Sequence, residues 1–256
     1  MESPCAGIFS AAPVIASQGA GRWAPRTPYT GLTSLLRILA KTVFWFVAIS
    51  VGLTVLYRFV PPPVTVTMLV DGNGITKDWQ PLSRIDRNMV AAAIAAEDGK
   101  FCTHNGFDTT AIEKAFERNA AGGRLRGGST ISQQTAKNVF LWQGDGWTRY
   151  LRKGLEVWFT FLIENLWDKR RIMEIYLNVA ETGIGTYGVE AGAQRYWGQS
   201  ASNLTTIEAG RMAAALPSPK TRSVKSPSGF TRRYGNTIAA RIGTVKTQGL
   251  DSCVYD

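Results

Sequence analysis

The chain has 256 residues, a formal net charge of +10 and 45% hydrophobic residues, a composition typical of a folded protein rather than a disordered one. The positive charge favours anionic partners, which include nucleic acid, anionic lipid headgroups and phosphorylated substrates. Three cysteines without a CxxC pair and a single histidine, His104, argue against a structural zinc site and against hydrolase triads, so we expect carboxylates to perform any acid–base chemistry.

An apolar segment near the N-terminus predicts a membrane anchor. Residues 42–57 carry no charge, and Arg37 and Lys41 just upstream can snorkel, so residues 32–60 are long enough to span a bilayer. The cations lie mainly before this segment, which predicts a cytoplasmic N-terminus and an external C-terminal part. A buried core helix and a cleaved signal peptide are the alternatives, but no small-x-small cleavage site follows. Residues 1–31 are predicted to be a disordered cytoplasmic tail.

Residues 61–82 are interpreted as a membrane-proximal linker. The prolines at positions 61–63 predict a stiff spacer that lifts the soluble part off the membrane. The alternating run VTVTMLV, residues 64–70, is followed by DGNG and predicts a short strand and a turn. Residues 83–256 are predicted to form one mainly helical domain.

Two helices are predicted early in this domain. Asp86 or Ser83 can cap a helix whose apolar positions recur every three or four residues and which leaves Glu97 near its C-terminal end. Thr130 and Gln133 have the spacing of a capping box and predict the start of a second helix.

The longest helix is predicted to begin near Thr148. One apolar stripe is assigned to the core, and its members are Leu151, Leu155, Trp158, Phe159, Leu162, Ile163 and Leu166. The opposite face carries three cations and a carboxylate, namely Arg149, Arg152, Lys153 and Glu156. Further helices are predicted from Asp168 and through TTIEAGRMAAAL, which Pro217 ends.

Residues 127–138, GGSTISQQTAKN, could present backbone amides and hydroxyl groups to an anion at a helix N-terminus. The alternative for this segment is a helix cap with a solvated polar face. For the cations of the long helix, the alternative is a solvated charged surface. Together, Lys137 and the cations of the long helix offer the charge stabilisation that a diphosphate leaving group needs. Glu97 and Glu156 are the candidate catalytic carboxylates. Asp98 and His104 are expected to hold the loop.

Four segments, in this order and spacing, resemble the motifs of the peptidoglycan glycosyltransferases of glycosyltransferase family 51. They are EDGKFCTHNGFD, GGSTISQQTAKN, RKGLEVWFTFLIE and RRIMEIYLN followed by GIGTYGVEAGAQRYWG. The resemblance covers about residues 80–220. No SxxK or KTG motif of a transpeptidase domain occurs, so a monofunctional enzyme is expected.

The resemblance implies a lysozyme-like helical domain with a small membrane-associated lobe. It also implies polymerisation of lipid II into β-1,4-linked glycan strands, with release of polyprenyl diphosphate and inversion at the anomeric carbon. Glu97 maps onto the general base, and Glu156 onto a glutamate that assists at the donor diphosphate. The cleft-lining motif positions map onto Ser129, Thr130, Gln133, Gln134, Lys137, Asn138, Arg152 and Lys153. Arg149 is added from helix geometry.

Lipid II, the growing glycan chain, membrane lipid and other cell-wall synthesis proteins are the expected partners, and nucleic acid is not expected. No tightly bound cofactor is expected, although some family members imply Mg or Mn at the diphosphate. The expected location is the bacterial cytoplasmic (inner) membrane, single-pass, with the domain in the periplasm. A membrane-anchored muramidase and a non-catalytic wall-binding protein are the alternatives, and the paired cations favour transfer.

Three features leave questions open at this stage. PKTRSVKSP, residues 219–227, replaces the proline-x-x-Tyr-Asn-Pro pattern usual in the family, which puts the end of the cleft-lining segment in doubt. Cys102 and Cys253 can form a disulfide outside the cytoplasm, but only if they lie within bonding distance. Trp142, Trp147 and Tyr150 fit either the lipid headgroup level or a core loop.

Overall fold

The computed structural model describes residues 29–120, 128–143 and 146–255. Most of the predicted disordered tail therefore lies outside the described residues, as does Gly127 of the glycine-rich motif. The chain divides into two compact units, one ending at Phe46 and the other beginning at Val47.

The predicted anchor segment is helical. Helix α1 (Tyr29–Phe59) contains a 27-residue stretch, Thr33–Phe59, that is apolar and mostly exposed. At about 1.5 Å per residue it is roughly 40 Å long, more than the ~30 Å hydrocarbon core of a bilayer. By length and composition this helix can therefore cross a membrane.

The end of α1 packs directly on the domain. The indole nitrogen of Trp167 donates to the carbonyl of Thr54 at 2.8 Å, and the Arg171 guanidinium donates to the carbonyl of Tyr57 at 2.9 and 3.1 Å. The structure thus differs from the predicted spacer at residues 61–63. The anchor contacts the domain before the prolines are reached.

The predicted strand at residues 64–70 is wrong, because the chain forms helix α2 (Val66–Val70) there. Thr67 and Met68 are neighbours and both are buried, which a strand with one buried face does not allow. The Thr67 hydroxyl donates to the carbonyl of Leu141 at 3.0 Å, and this distant contact overrides the local alternation. Since Met68 and Leu82 belong to the core, residues 64–82 are part of the domain rather than a linker.

The remainder of the domain is mainly helical, as predicted. Its helices are α3 (Arg87–Glu97), α4 (Thr109–Ala120), α5 (Ile131–Phe140), α6 (Thr148–Leu166), α7 (Lys169–Val179), α8 (Val189–Trp197), α9 (Thr206–Ala215), α10 (Gly229–Thr247) and α11 (Ser252–Tyr255). Three short strands form a sheet of order β1-β3-β2, namely β1 (Thr76–Lys77), β2 (Glu181–Gly183) and β3 (Thr186–Tyr187). β3 pairs parallel to β1 and antiparallel to β2.

The helix boundaries follow the predicted caps. Asp86 accepts the backbone N–H of Asn88 at 2.7 Å and opens α3, which ends at Glu97. Asp168 caps α7. In the stripe assigned to the core of α6, Phe159, Leu162 and Ile163 are buried, and the half-buried Leu155, Trp158 and Leu166 pack against the core. Leu151 is 53% exposed and is a wrong assignment.

Helix α10 supports both α9 and α3. A Cβ atom on Gly210 of α9 would lie 2.6 Å from the backbone oxygen of Gly235 of α10, so the two helix backbones are almost in contact. Ile238, Ile242 and Val245 bury the inner face of α10 in the common core. Helix α5 packs in the same way against α6 and α7.

Cys102 and Cys253 form a disulfide, with their Cα atoms 5.4 Å apart. The bond joins the loop after α3 to α11, across a sequence separation of 151 residues. It settles the pairing that the sequence left open.

We expect the double variant Cys102→Ser/Cys253→Ser to lose about 2–5 kcal/mol of the free energy of unfolding, because a cross-link restricts the unfolded chain. Thermal unfolding in detergent, with and without dithiothreitol, measures this effect. The reductant should lower the Tm of the parent and leave that of the double variant unchanged. Equal Tm values for parent and variant would contradict the expectation.

Candidate active site

Glu97 ends α3 with its carboxylate turned into the protein. Gln134 Nε2 donates to Glu97 Oε2 at 2.7 Å, whereas Oε1 is buried and has no hydrogen-bond partner among the described residues. Burial raises the pKa of Glu97, while the Gln134 hydrogen bond and the charges of Arg222 and Lys137 oppose that rise. Glu97 is therefore a desolvated carboxylate, and one of its oxygens accepts no hydrogen bond from the described residues.

Asp98 and His104 hold the loop beside Glu97, as expected. Asp98 Oδ2 accepts the backbone N–H of Ile131 at 3.0 Å, and its Oδ1 lies 2.8 Å from His104 Nε2. The backbone N–H of Gly106 donates to His104 Nδ1 at 3.1 Å, which assigns the imidazole proton to Nε2. Asp98 thus ties the loop to the start of α5, and His104 has both ring nitrogens engaged within the loop.

The start of α5 is a closed cap. Thr130 and Gln133 form a capping box, and the Thr130 hydroxyl also donates to the carbonyl of Gly106 at 2.6 Å. Gly106 has φ +87°, and a Cβ there would lie 2.7 Å from Thr160 Cγ2, so the position requires glycine. In this structure the side chains of Thr130 and Gln133 are buried in the cap rather than directed at a cleft.

Glu156 is buried on α6 between two cations. Lys153 Nζ donates to its Oε1 at 2.5 Å, and Arg152 Nη1 lies 3.4 Å from its Oε2. Lys153 Nζ also lies 3.4 Å from the hydroxyl of Ser129, which joins α6 to the residue before the cap. Arg149, in the first turn of α6, is exposed.

Lys137 links the two carboxylates electrostatically. Burial lowers its pKa, as do the charges of Arg152 and Lys153, whereas Glu156 and Glu97 raise it. The structure therefore brings Glu97, Glu156, Lys137, Arg152 and Lys153 into one electrostatic cluster, to which the exposed Arg149 does not belong. Sequence spacing alone could not show this meeting.

A cavity of about 490 Å³ opens beside this cluster. Three of the predicted residues line it: Gln134, Lys137 and Asn138. The remaining lining residues are Thr67, Val70, Asp71, Gln143, Tyr176, Ala180, Glu181, Leu216, Pro217, Ser218, Pro219, Lys220 and Thr221. Of the segment at residues 219–227, which departs from the family pattern, Pro219, Lys220 and Thr221 therefore line the cavity.

Sequence reasoning missed two features of the cavity wall. Tyr176 is fully buried, and its hydroxyl has no hydrogen-bond partner among the described residues. At the other end Asp71 accepts from the hydroxyl of Tyr187 at 2.6 Å and from Lys220 at 2.9 Å, and both bonds hold its pKa well below the usual range. Asp71 and Lys220 are 149 residues apart, so no local pattern could pair them.

The three aromatic residues that fitted either a core loop or the lipid headgroup level differ in their burial. Trp142 packs against the core, whereas Trp147 and Tyr150 are 76% and 81% exposed at the start of α6. Residues 144 and 145 lie outside the described residues.

Metal ligands are not grouped in the part of the chain that the structure describes. No cluster of three or more His, Cys, Asp or Glu side chains that could hold a metal ion occurs there. The described residues therefore offer no ready ligand set for a divalent cation. A role for Mg or Mn at the donor diphosphate stays a prediction.

Comparison with known proteins gives consistent matches. The family model described as Transglycosylase matches residues 65–242. A biosynthetic peptidoglycan transglycosylase of Caulobacter vibrioides is 50% identical over 224 residues, which cover 86% of this chain and 96% of that protein. Proteins with the same description from Rhodospirillum centenum and Pseudomonas aeruginosa are each 46% identical, over 87% and 79% of this chain and 96% and 90% of their own length.

We expect Glu97→Gln to raise the Tm at pH 8, because burial raises the pKa of Glu97 above its ordinary value of 4.5. The ionised carboxylate is thus disfavoured in the folded protein, and its destabilising effect grows as pH rises from the unfolded-state pKa to the higher folded-state pKa, above which it stays constant. The Tm difference should shrink as pH falls toward 4.5. Glu113→Gln, at an exposed glutamate of α4, is the control and should show no such trend. A Tm difference that is zero at every pH would contradict the expectation.

Proposed function

This chain belongs to the transglycosylase family and is a peptidoglycan glycosyltransferase of cell-wall synthesis, and we propose that Glu97 is its general base. The family membership confirms the lysozyme-like helical fold and implies lipid II and the growing glycan chain as substrates. The roles of individual residues, the chemistry of the step and the membrane topology are our proposals.

One observation carries the assignment of the base: Glu97 Oε1 is buried and has no hydrogen-bond partner in the described part of the chain, while Gln134 donates to the other carboxylate oxygen. A carboxylate held in this way can accept a proton without first releasing a hydrogen bond. Its raised pKa brings it closer to the operating pH, which favours general base catalysis. Asp98 and His104 are engaged in the loop, which leaves Glu97 as the base.

The proposed reaction is a single displacement. Glu97 takes the proton of the acceptor 4-hydroxyl as the hydroxyl oxygen attacks the anomeric carbon of the donor chain. A new β-1,4 glycosidic C–O bond forms and the C–O bond to the diphosphate breaks, so the bond electrons leave with polyprenyl diphosphate. Attack from the face opposite the leaving group inverts the anomeric carbon.

The cations complete the site. Lys137 lines the cavity, and Arg152 and Lys153 stand beside it on α6, where they would stabilise the charge that develops on the departing diphosphate. Glu156 contacts Arg152 and Lys153 and would hold them in position. A leaving sugar, in contrast, needs a proton donor rather than cations, which favours transfer over hydrolysis.

We further propose that the chain crosses the bacterial inner membrane once, with its N-terminus in the cytoplasm and its catalytic domain in the periplasm. Arg37 and Lys41 stand at the N-terminal side of the apolar run, as cytoplasmic flanks do. The Cys102–Cys253 disulfide suits an oxidising compartment. Protease added to spheroplasts should remove the catalytic domain; full protection, with lysed cells digested, would contradict this topology. Contacts with other cell-wall synthesis proteins stay a prediction.

We expect Glu97→Gln to reduce polymerisation of lipid II at least about hundredfold, because the neutral amide cannot take the acceptor proton. Strand length from purified protein in detergent, followed on gels, measures the effect. Glu113→Gln is the matched control and should polymerise as the parent does. Equal polymer from Glu97→Gln and parent would refute the role of Glu97, and release of fragments from preformed peptidoglycan would indicate a muramidase.

We expect Lys137→Met to lower the turnover of lipid II at least about hundredfold while the fold survives, because a buried cation facing the leaving group is lost. Circular dichroism and the rate of polymerisation are measured together. Lys225→Met, at an exposed lysine outside the cavity, is the control. Unfolding of Lys137→Met would instead indicate that Lys137 serves the core.

A further inference from the structure

Three side chains form a stack behind the end of α3. The guanidinium of Arg222 lies over the ring of Phe230, 5.4 Å from its centroid, and Phe230 stacks on Tyr234 with centroids 5.5 Å apart and an interplanar angle of 19°. The hydroxyl of Tyr234 then donates to the carbonyl of Ala96 at 2.8 Å. The stack therefore ends on the residue directly before Glu97.

The hydrogen bond satisfies a carbonyl that the helix itself leaves unpaired. The last four carbonyl groups of an α-helix have no partner within it unless the capping residues provide one. In α3 the N–H of Asp98 bonds to the carbonyl of Ile94, and Tyr234 reaches the carbonyl of Ala96 from a different helix. Because this carbonyl belongs to the peptide group that joins Ala96 to Glu97, the bond restrains the backbone that carries the Glu97 side chain.

The stack is built on a rigid base. The near contact of α9 and α10 at Gly210 and Gly235 positions the turn of α10 that carries Tyr234. At the other end of the stack Arg222 Nη1 donates to the carbonyl of Ala214 in the last turn of α9, at 2.7 Å. Both ends of the stack are thus tied to backbone carbonyls at helix ends.

We propose that Tyr234, backed by Phe230 and Arg222, is a positioning residue that holds the last turn of α3 so that Glu97 points its unpaired oxygen at the acceptor hydroxyl. Tyr234 bonds to the backbone rather than to the Glu97 carboxylate, so its effect on the reaction passes through Glu97. This inference rests on the proposed role of Glu97 as the base.

Arg222 has a second effect through its charge, which opposes the rise in the pKa of Glu97. Four other groups face Glu97: Gln134 and Lys137 from α5, Asp98 from the following loop, and Tyr176 from α7. Asp98 raises the pKa of Glu97 and Lys137 lowers it. Loss of the Arg222 charge, with the other groups unchanged, should raise the pKa of the base.

The test of Tyr234 compares two tyrosine hydroxyls. Tyr234→Phe keeps the stack and removes only the bond to Ala96; Tyr196→Phe removes a similar bond, of 3.0 Å to the carbonyl of Thr182, that does not touch α3. For Tyr234→Phe we expect kcat on lipid II to fall about tenfold with KM unchanged. A displaced base weakens stabilisation of the transition state but does not change substrate binding. Tyr196→Phe should keep kcat within about twofold.

The two phenylalanine variants should have similar Tm values, which separates positioning from folding. Equal kcat values for Tyr234→Phe and Tyr196→Phe, or a loss confined to KM, would overturn the proposal.

A charge-matched pair tests Arg222 independently. Glu97 acts in its ionised form, so a higher pKa moves the acidic limb of the kcat profile to higher pH. We expect the acidic limb to move to higher pH in Arg222→Gln, which loses the positive charge. We expect it to stay in place in Arg222→Lys, which keeps the charge. An unmoved limb in Arg222→Gln, or the same movement in both variants, would overturn the part assigned to Arg222.

The same assays separate the two proposals. If Glu97→Gln still polymerises lipid II, the proposed base is wrong and this inference falls with it. If Glu97→Gln is inactive and Tyr234→Phe matches Tyr196→Phe, only the positioning role is wrong.

Discussion

Glu97 lies where a helix is least favourable to an anion. It is the last residue of α3, at the negative end of the helix dipole, and burial removes the water that would otherwise solvate the charge. The compensation comes from outside the helix, as a hydrogen bond from Gln134 and the charges of Lys137 and Arg222. The site therefore exists only when α5 and the segment after α9 are packed against α3.

The other charges of the site depend on one another in the same way. Lys137 is buried among cations and is favoured in its charged form by Glu97 and Glu156, while Glu156 is buried with Lys153 and Arg152 as its partners. Loss of one member leaves the others desolvated and unpaired, a costly condition inside a protein. A diphosphate group entering the cleft would add negative charge to a cluster that is short of it. Substrate binding and the electrostatic balance of the site are thus coupled.

Local patterns were sufficient for most helices and for the identity of the catalytic candidates. The cap at Asp86, the capping box at Thr130 and Gln133, and the start of α7 after Asp168 follow from neighbouring residues alone, because a cap is a bond within one turn. The strand predicted at residues 64–70 failed because its alternation is a local signal that a contact from Thr67 to a distant backbone carbonyl overrode.

The sequence by itself determined the helical class, the apolar anchor segment, the order of the motifs and the position of Glu97 at a helix end. Only the tertiary structure decided which groups surround that carboxylate. The pairing of Asp71 with Lys220 and the bond from Tyr234 to Ala96 join residues more than a hundred positions apart, and no periodicity records them. Such bonds depend on how α2, α3, α10 and the segment after α9 pack together, so they become visible only once these elements are placed against each other.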